Sequence, residues 1–216
     1  WFDRMRGLAI GIAMAGSGVS AIIAPKLMIP YIAEAGWRMG YQALAIAMFV
    51  TLPLVLYGAR NNDGEPSVSG APNIATEGLT LREALRTARF WRLALVMVLT
   101  GMGLSGFYSH FVPMITDSGL TAAEAANAAA LFGAAVLTGR LLSGYLIDRL
   151  YPPVVATGAW SLGVVCLGAL LFPGTPQLYL AGAAIGIAFG TEFDFAGYVT
   201  ARIFGRRAYG KLFGLL

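Results

Sequence analysis

Six stretches of the chain, near residues 7–32, 39–58, 92–116, 125–147, 153–173 and 177–199, are apolar over about the 20 residues that a helix needs to cross a bilayer. Inside a bilayer every backbone N–H and C=O must find its partner within the chain, which leaves α-helices and closed β-barrels. The runs lack the period-2 alternation of barrel strands, so helices are predicted. Composition agrees, because 57% of residues are hydrophobic and only 12% charged, too apolar for a soluble domain of this length. The expected class is an all-α polytopic membrane protein with six complete transmembrane helices. Tyr209 to Leu216 reads as the start of a seventh. The opening Trp1-Phe2-Asp3-Arg4 is neither a signal peptide nor a helix start, and with no initiator Met the chain is read as an internal piece of a longer protein.

Charge sets the expected orientation. With residues 1–6 cytoplasmic, so are 59–91, 148–152 and 200–209. Twelve of the 15 Lys and Arg then fall on cytoplasmic segments or helix ends, only Arg38 falls outside, and Lys26 and Arg140 stay within spans. The longest polar stretch, from Ala59 to about Arg89, begins as a Gly-, Pro-, Ser- and Asn-rich linker. Thr80-Leu81-Arg82-Glu83 then offers a capping box. Leu81, Ala84, Leu85 and Ala88 follow at helical spacing opposite Arg82, Arg86 and Arg89, so a short amphipathic helix on the cytoplasmic membrane surface is predicted. Thr121 with Glu124 repeats the capping box before the fourth span.

The charges inside the spans carry the chemistry. Arg140 lies near the inner end of a run with no other charge between Ala125 and Ile147. A guanidinium there must face a partner or a watery cavity, and it marks a candidate site for an anion. A structural lock to a carboxylate on another helix is the alternative. The sixth run supplies two acids, Glu192 and Asp194. At a helical 100° per residue they point about 200° apart, so one is expected to face the cavity and the other a packing interface or the cytoplasmic side. Either is a candidate to hold Arg140 in the empty state or to carry a proton. Tyr108 and His110 lie in the outer half of the third run, where His110 is read as a hydrogen-bond donor, a proton relay or a packing residue. Lys26 is expected to snorkel outward. Glycines at 182, 186 and 190 make a stripe along which helices can approach closely. Lone Cys166 is expected to pack as a small hydrophobe.

Gly144-x-Leu146-x-Asp148-Arg149 resembles the cytoplasmic loop motif of the major facilitator superfamily, although Leu150-Tyr151-Pro152-Pro153 stands where that motif continues with Gly-Arg. Gly144 would permit close helix approach, and Asp148 would accept from a neighbouring helix N-terminus to latch an inner gate. Trp1-Phe2 through Arg6-Gly7-Leu8-Ala9 and Gly11 to Ser17, Gly36-Trp37-Arg38 with Tyr41, and Phe107 to Pro113 followed by Asp117 to Leu120 are similar to monocarboxylate and oxalate/formate transporters of that superfamily. The resemblance implies the major facilitator fold, with helices five to ten and the start of eleven. Residues 1–58 would close the N-terminal half, 59–89 would join the halves with an amphipathic helix, and 90–216 would open the C-terminal half. It also places Arg140 on helix eight, where these families hold an arginine that binds the substrate carboxylate. Val136 stands where proton-coupled members often have Asp, so proton coupling through that pair does not carry over.

The function expected is secondary transport of small organic anions by alternating access, in a bacterial inner membrane. Arg140, Tyr108, His110, Glu192 and Asp194 would form the substrate site, and Gly144, Asp148 and Arg149 the gate. The alternatives are a carrier of a neutral or cationic solute and a transporter-like sensor. The partners are the bilayer, a small organic anion and, as a candidate co-substrate, a proton. No enzyme, cofactor, metal or nucleic-acid partner is expected, for the sequence holds no ligand cluster, P-loop, dinucleotide fingerprint or nucleophile with a placed base.

Overall fold

A computed structural model describes residues 6–58, 78–172 and 174–216, and these form a helical bundle without named strands. The opening Trp1 to Arg4, the linker from Arg60 to Glu77 and Pro173 of the last outer loop lie outside the described residues. The long helices are α1 (Arg6–Ala35), α2 (Trp37–Gly58), α4 (Ala88–Asp117), α5 (Ala122–Ile147), α6 (Pro152–Gly168) and α7 (Thr175–Phe204). Two short helices, α3 (Leu81–Leu85) and α8 (Tyr209–Phe213), complete the described residues apart from a 3-10 turn at Ala169–Leu171. The six predicted spans are therefore helices long and apolar enough to cross a membrane.

Local chemistry sets the ends. Gly36 and Gly119 turn the chain between α1 and α2 and between α4 and α5 at φ of 84° and 83°, a left-handed conformation that side chains disfavour. Thr121 opens α5 through the predicted capping box, its Oγ1 accepting from Glu124 N at 3.3 Å while Glu124 accepts from Thr121 N at 2.8 Å. Thr80 and Glu83 do the same for α3, and the backbone hydrogen bond from Thr80 holds the Glu83 carboxyl below its ordinary range.

The predicted amphipathic helix differs in length. It stops after Leu85, because Thr87 donates to Ala84 O at 2.7 Å and accepts from Phe90 N at 3.3 Å. One helix closes there and the next opens, so Ala88 and Arg89 begin α4. Ala84 is fully buried among Phe90, Leu93, Phe204 and Leu212. Gly78 bridges to Gly205, and Leu79 N donates to Phe204 O at 2.8 Å. The apolar face of α3 thus packs on α4, α7 and α8.

Two apolar clusters hold the bundle. One gathers Phe90, Leu93 and Met97 of α4, Ile147 of α5, Ala156 of α6 and Phe195, Val199 and Phe204 of α7. The other lies toward the opposite end, around Phe111, Ile115, Ala128, Phe132 and Ile185. Helix α7 runs through both, and α5 packs between α1 and α7. Glycines bring these backbones together: a Cβ at Gly133 would meet the Ala21 carbonyl of α1, one at Gly139 the Ile187 carbonyl of α7, and one at Gly190 the Val136 carbonyl of α5. Without a hydrophobic driving force between helices in lipid, such close contact supplies much of the packing energy.

Gly190→Ala is therefore expected to cost about 1–3 kcal/mol, the usual penalty of overpacking. Gly158→Ala, where a Cβ meets nothing within 4 Å, should be neutral or stabilising by up to about 1 kcal/mol. Thermal unfolding of the two variants in detergent checks the contrast.

Candidate functional site

Between the two apolar clusters lies a polar layer built on α5 and α7. Arg140 of α5 is 4% exposed, and Asp194 and Ser143 are each 2% exposed. Arg140 Nη1 stands 3.6 Å from Asp194 Oδ1. That is ion-pair distance but too long for a hydrogen bond. The Ser143 hydroxyl, one helical turn beyond Arg140, lies 3.0 Å from Asp194 Oδ2 and 3.2 Å from Arg140 O. It holds one proton and so donates to one of them at a time.

The pair is deep but incompletely bonded. Arg140 Nε and Nη1 and Asp194 Oδ1 have no hydrogen-bond partner among the described residues. A guanidinium offers five N–H donors in a planar fork, so much of its capacity is free for a second acceptor. The walls come from three helices. A Cβ at Gly11 of α1 would lie 2.8 Å from Arg140 O and 3.8 Å from Asp194 Oδ2. The Phe193 ring centre stands 5.7 Å from Arg140 Cζ, within cation–π range.

Glu192 goes elsewhere, as its 200° separation from Asp194 requires. It is 8% exposed and faces α4, where its Oε1 lies 3.2 Å from Thr100 Oγ1. The Thr100 hydroxyl also lies 2.7 Å from Val96 O and 3.3 Å from Met97 O, so its single proton is shared among three acceptors. The structure thus joins Asp194, and not Glu192, to Arg140.

Tyr108 sits farther out. Its ring packs 5.4 Å from Phe132 and 6.0 Å from Phe189, and it lines a cavity of about 530 Å³ between α1, α4 and α5. Ser17, Ser20 and Ser109 add hydroxyls to a wall that is otherwise apolar. Arg140 does not line this cavity; α1 and α5 close the way at Gly18–Leu137 and Ala21–Gly133. His110 is exposed and lies off the cavity wall. At the charged end of α5, Gly144 is buried, Asp148 is the C-cap, and Arg149 Cζ lies 4.3 Å from the Tyr145 ring centre.

Ser143, Thr100 and Phe193 were not singled out from the sequence. Ser143 had a signal, since it follows Arg140 at i+3 and shares its helical face. The others depend on how helices are rotated against one another, which spacing along one helix does not encode. Among the described residues no group of His, Cys, Asp or Glu is placed to hold a metal ion.

The family model described as Major Facilitator Superfamily matches residues 1–216. Monocarboxylate transporter 11 of Mus musculus is 30% identical, covering 88% of this chain and 44% of its own length. The uncharacterized MFS-type transporter YhjX of Escherichia coli is 25% identical over 100% of this chain and 54% of its own length. MFS-type transporter pytF of Aspergillus terreus is 28% identical over 69% of this chain and 49% of its own. The chain thus spans about half the length of the curated relatives it matches.

Removing one partner of a buried ion pair strands the other charge, which typically costs about 3–5 kcal/mol. Asp194→Ala should therefore destabilise the protein strongly, while Arg140→Leu combined with Asp194→Ala should recover most of the loss. A double-mutant cycle on thermal stability in detergent checks this, and additive losses would mean the two side chains do not interact.

Proposed function

The chain belongs to the major facilitator superfamily, and from that premise we propose that it is the core of a secondary transporter of small organic anions. The observation that carries the proposal is the buried, under-bonded pair of Arg140 and Asp194. In the empty carrier Asp194 neutralises Arg140. An arriving carboxylate takes up the unused guanidinium donors in a bidentate bond, the geometry that arginine suits best. The relatives named monocarboxylate transporters support a small carboxylate as the substrate class.

The movement proposed is alternating access about the α1–α5 contact. In this reading residues 1–58 close the N-terminal half, 59–89 link the halves and 90–216 open the C-terminal half. The contact from Gly11–Arg140 to Ala21–Gly133 is then the closed inner gate, and the cavity with Tyr108 and the three serines is the outer vestibule. Gly144, Asp148 and Arg149 steady the inner end. His110, exposed on α4 and off the wall of that vestibule, has no part in this reading. Residues 1–6, 59–91, 148–152 and 200–209 face the cytoplasm, and the membrane is a bacterial inner membrane.

One rival is favoured by a specific observation. Neither Arg140 nor Asp194 lines the 530 Å³ cavity, as expected if the pair is a permanent structural lock and the cavity takes a neutral solute. The complete protein in liposomes separates the two, by uptake of labelled lactate, pyruvate, formate and oxalate. With carboxylate transport, Arg140→Gln loses uptake on the order of tenfold to a hundredfold, the worth of a hydrogen bond to a charged group. A pH gradient applied in the same assay reads proton coupling directly. Uptake indifferent to Arg140→Gln in folded protein, with no competition by carboxylates, supports the structural lock instead.

A further inference from the structure

The charged end of the bundle holds far more arginine than the carboxylate site uses. Across residues 78–92, 148–152 and 200–216, nine Arg and Lys stand against Glu83 and Asp148, and Glu83 is bound into the α3 capping box. A crevice of about 390 Å³ opens here between the starts of α4 and α6 and the end of α7. It is lined by Arg89, Tyr151, Pro152, Pro153, Val199 and Arg202 among others. Arg89 and Arg202 come from different helices and are exposed. Among the described residues neither has a carboxylate within ion-pair distance. Tyr151 is 66% exposed at the rim, where aromatic residues sit at membrane–water interfaces.

The same three helices form a second, apolar crevice nearer the membrane centre. It encloses about 240 Å³, and its wall includes Leu99, Gly103 and Leu104 of α4, Gly163 and Val164 of α6 and Ile185 of α7. A Cβ at Gly103 would meet nothing within 4 Å, so the space there is open. Leu95, Leu99 and Val164 are well exposed on its flanks. From Arg89 to Leu99 the helix rises about 15 Å, which is half of a hydrocarbon core of about 30 Å. The α4–α6 face therefore offers cations at the interface and, beyond the buried Leu93, Met97 and Phe195, a separate apolar slot about one leaflet deep. A free anion would occupy only the lower part, and an uncharged lipid would leave the guanidiniums unpaired.

We propose that the α4–α6 valley binds one anionic glycerophospholipid of the adjoining leaflet. Its phosphate lies between Arg89 and Arg202, with the Tyr151 hydroxyl as a further donor, and an acyl chain runs toward Gly103 and Gly163. The site is on the far side of α7 from Arg140 and does not depend on the transported substrate.

The test is native mass spectrometry of the complete protein in detergent, offered equal dioleoyl phosphatidylglycerol and dioleoyl phosphatidylcholine. The expected result is one retained phosphatidylglycerol, preferred on the order of tenfold, in line with the attraction of anionic lipid to two basic side chains. Arg89→Gln with Arg202→Gln should bring that preference to parity, while Arg38→Gln at the opposite end should leave it unchanged. Gly103→Phe, which fills the open slot and keeps both arginines, should weaken retention of the lipid. It carries the test alone if the double variant does not fold. Equal retention of both lipids overturns the proposal, as does no retained lipid because another segment of the protein fills the valley. So does displacement by soluble glycerol phosphate with Gly103→Phe having no effect, which would make this a site for a free anion.

Discussion

Arg140 and Asp194 are 4% and 2% exposed in a bundle made almost wholly of apolar side chains. An unpaired charge near the middle of a transmembrane helix costs about 3 kcal/mol on insertion scales, so each of these two charges is tolerable only beside the other. The separation of α5 and α7 follows from that need. At Gly139 and Gly190 a single added carbon would collide with the facing backbone. Were α7 held off by ordinary side chains, the short Asp194 side chain would fall out of reach. The glycines that let the helices touch also let the charges meet, and packing and electrostatics act here through the same residues.

The quality of the pair matters as much as its existence. A purely structural pair gains most from short, bidentate contact with every donor and acceptor used. This one stands at 3.6 Å with three buried polar atoms unbonded among the described residues, and its one hydroxyl partner is shared. A partly satisfied buried network is a poor stabiliser. It is also a network that a second acceptor can enter at little loss, because few bonds must break first.

Much of this was legible in the sequence, and what was not has a common cause. Run lengths marked the spans, and the isolation of Arg140 marked the candidate site. The two-residue offset of Glu192 and Asp194 fixed that they diverge, because the helical period alone decides it. Which of the two meets Arg140 depends on the rotation of α7 against α5, a property of glycine contacts between helices. Tyr108 and His110 have the same offset and the same ambiguity, resolved here with Tyr108 on the cavity wall. The amphipathic helix is shorter than its apolar spacing for a different reason. Apolar spacing runs unbroken from Leu81 to Ala88, and the break at Thr87 comes from a side chain that bonds backbone on both sides, which periodicity does not register. Its burial against α7 and α8 arises because an apolar face seeks the nearest apolar surface, whether lipid or protein.

Charge neutrality carries the proposed mechanism one step further. With Arg140 and Asp194 both ionised the empty site is neutral, and an added carboxylate makes it singly negative. A net charge in a walled, low-dielectric site is costly, and the costs of burying it are not repaid by the one guanidinium that two carboxylates would then share. Two remedies exist: Asp194 swings away to water or to another cation, or a proton arrives with the anion. Among the described residues the walls built by α1, α5 and α7 offer Asp194 only Arg140 and Ser143 as polar partners. If Arg140 receives the substrate as proposed, a proton arriving with the anion is the remedy that leaves Asp194 in place. In that reading the carboxylate beside Arg140 would be supplied by Asp194 of α7, and Val136 of α5 would be no obstacle.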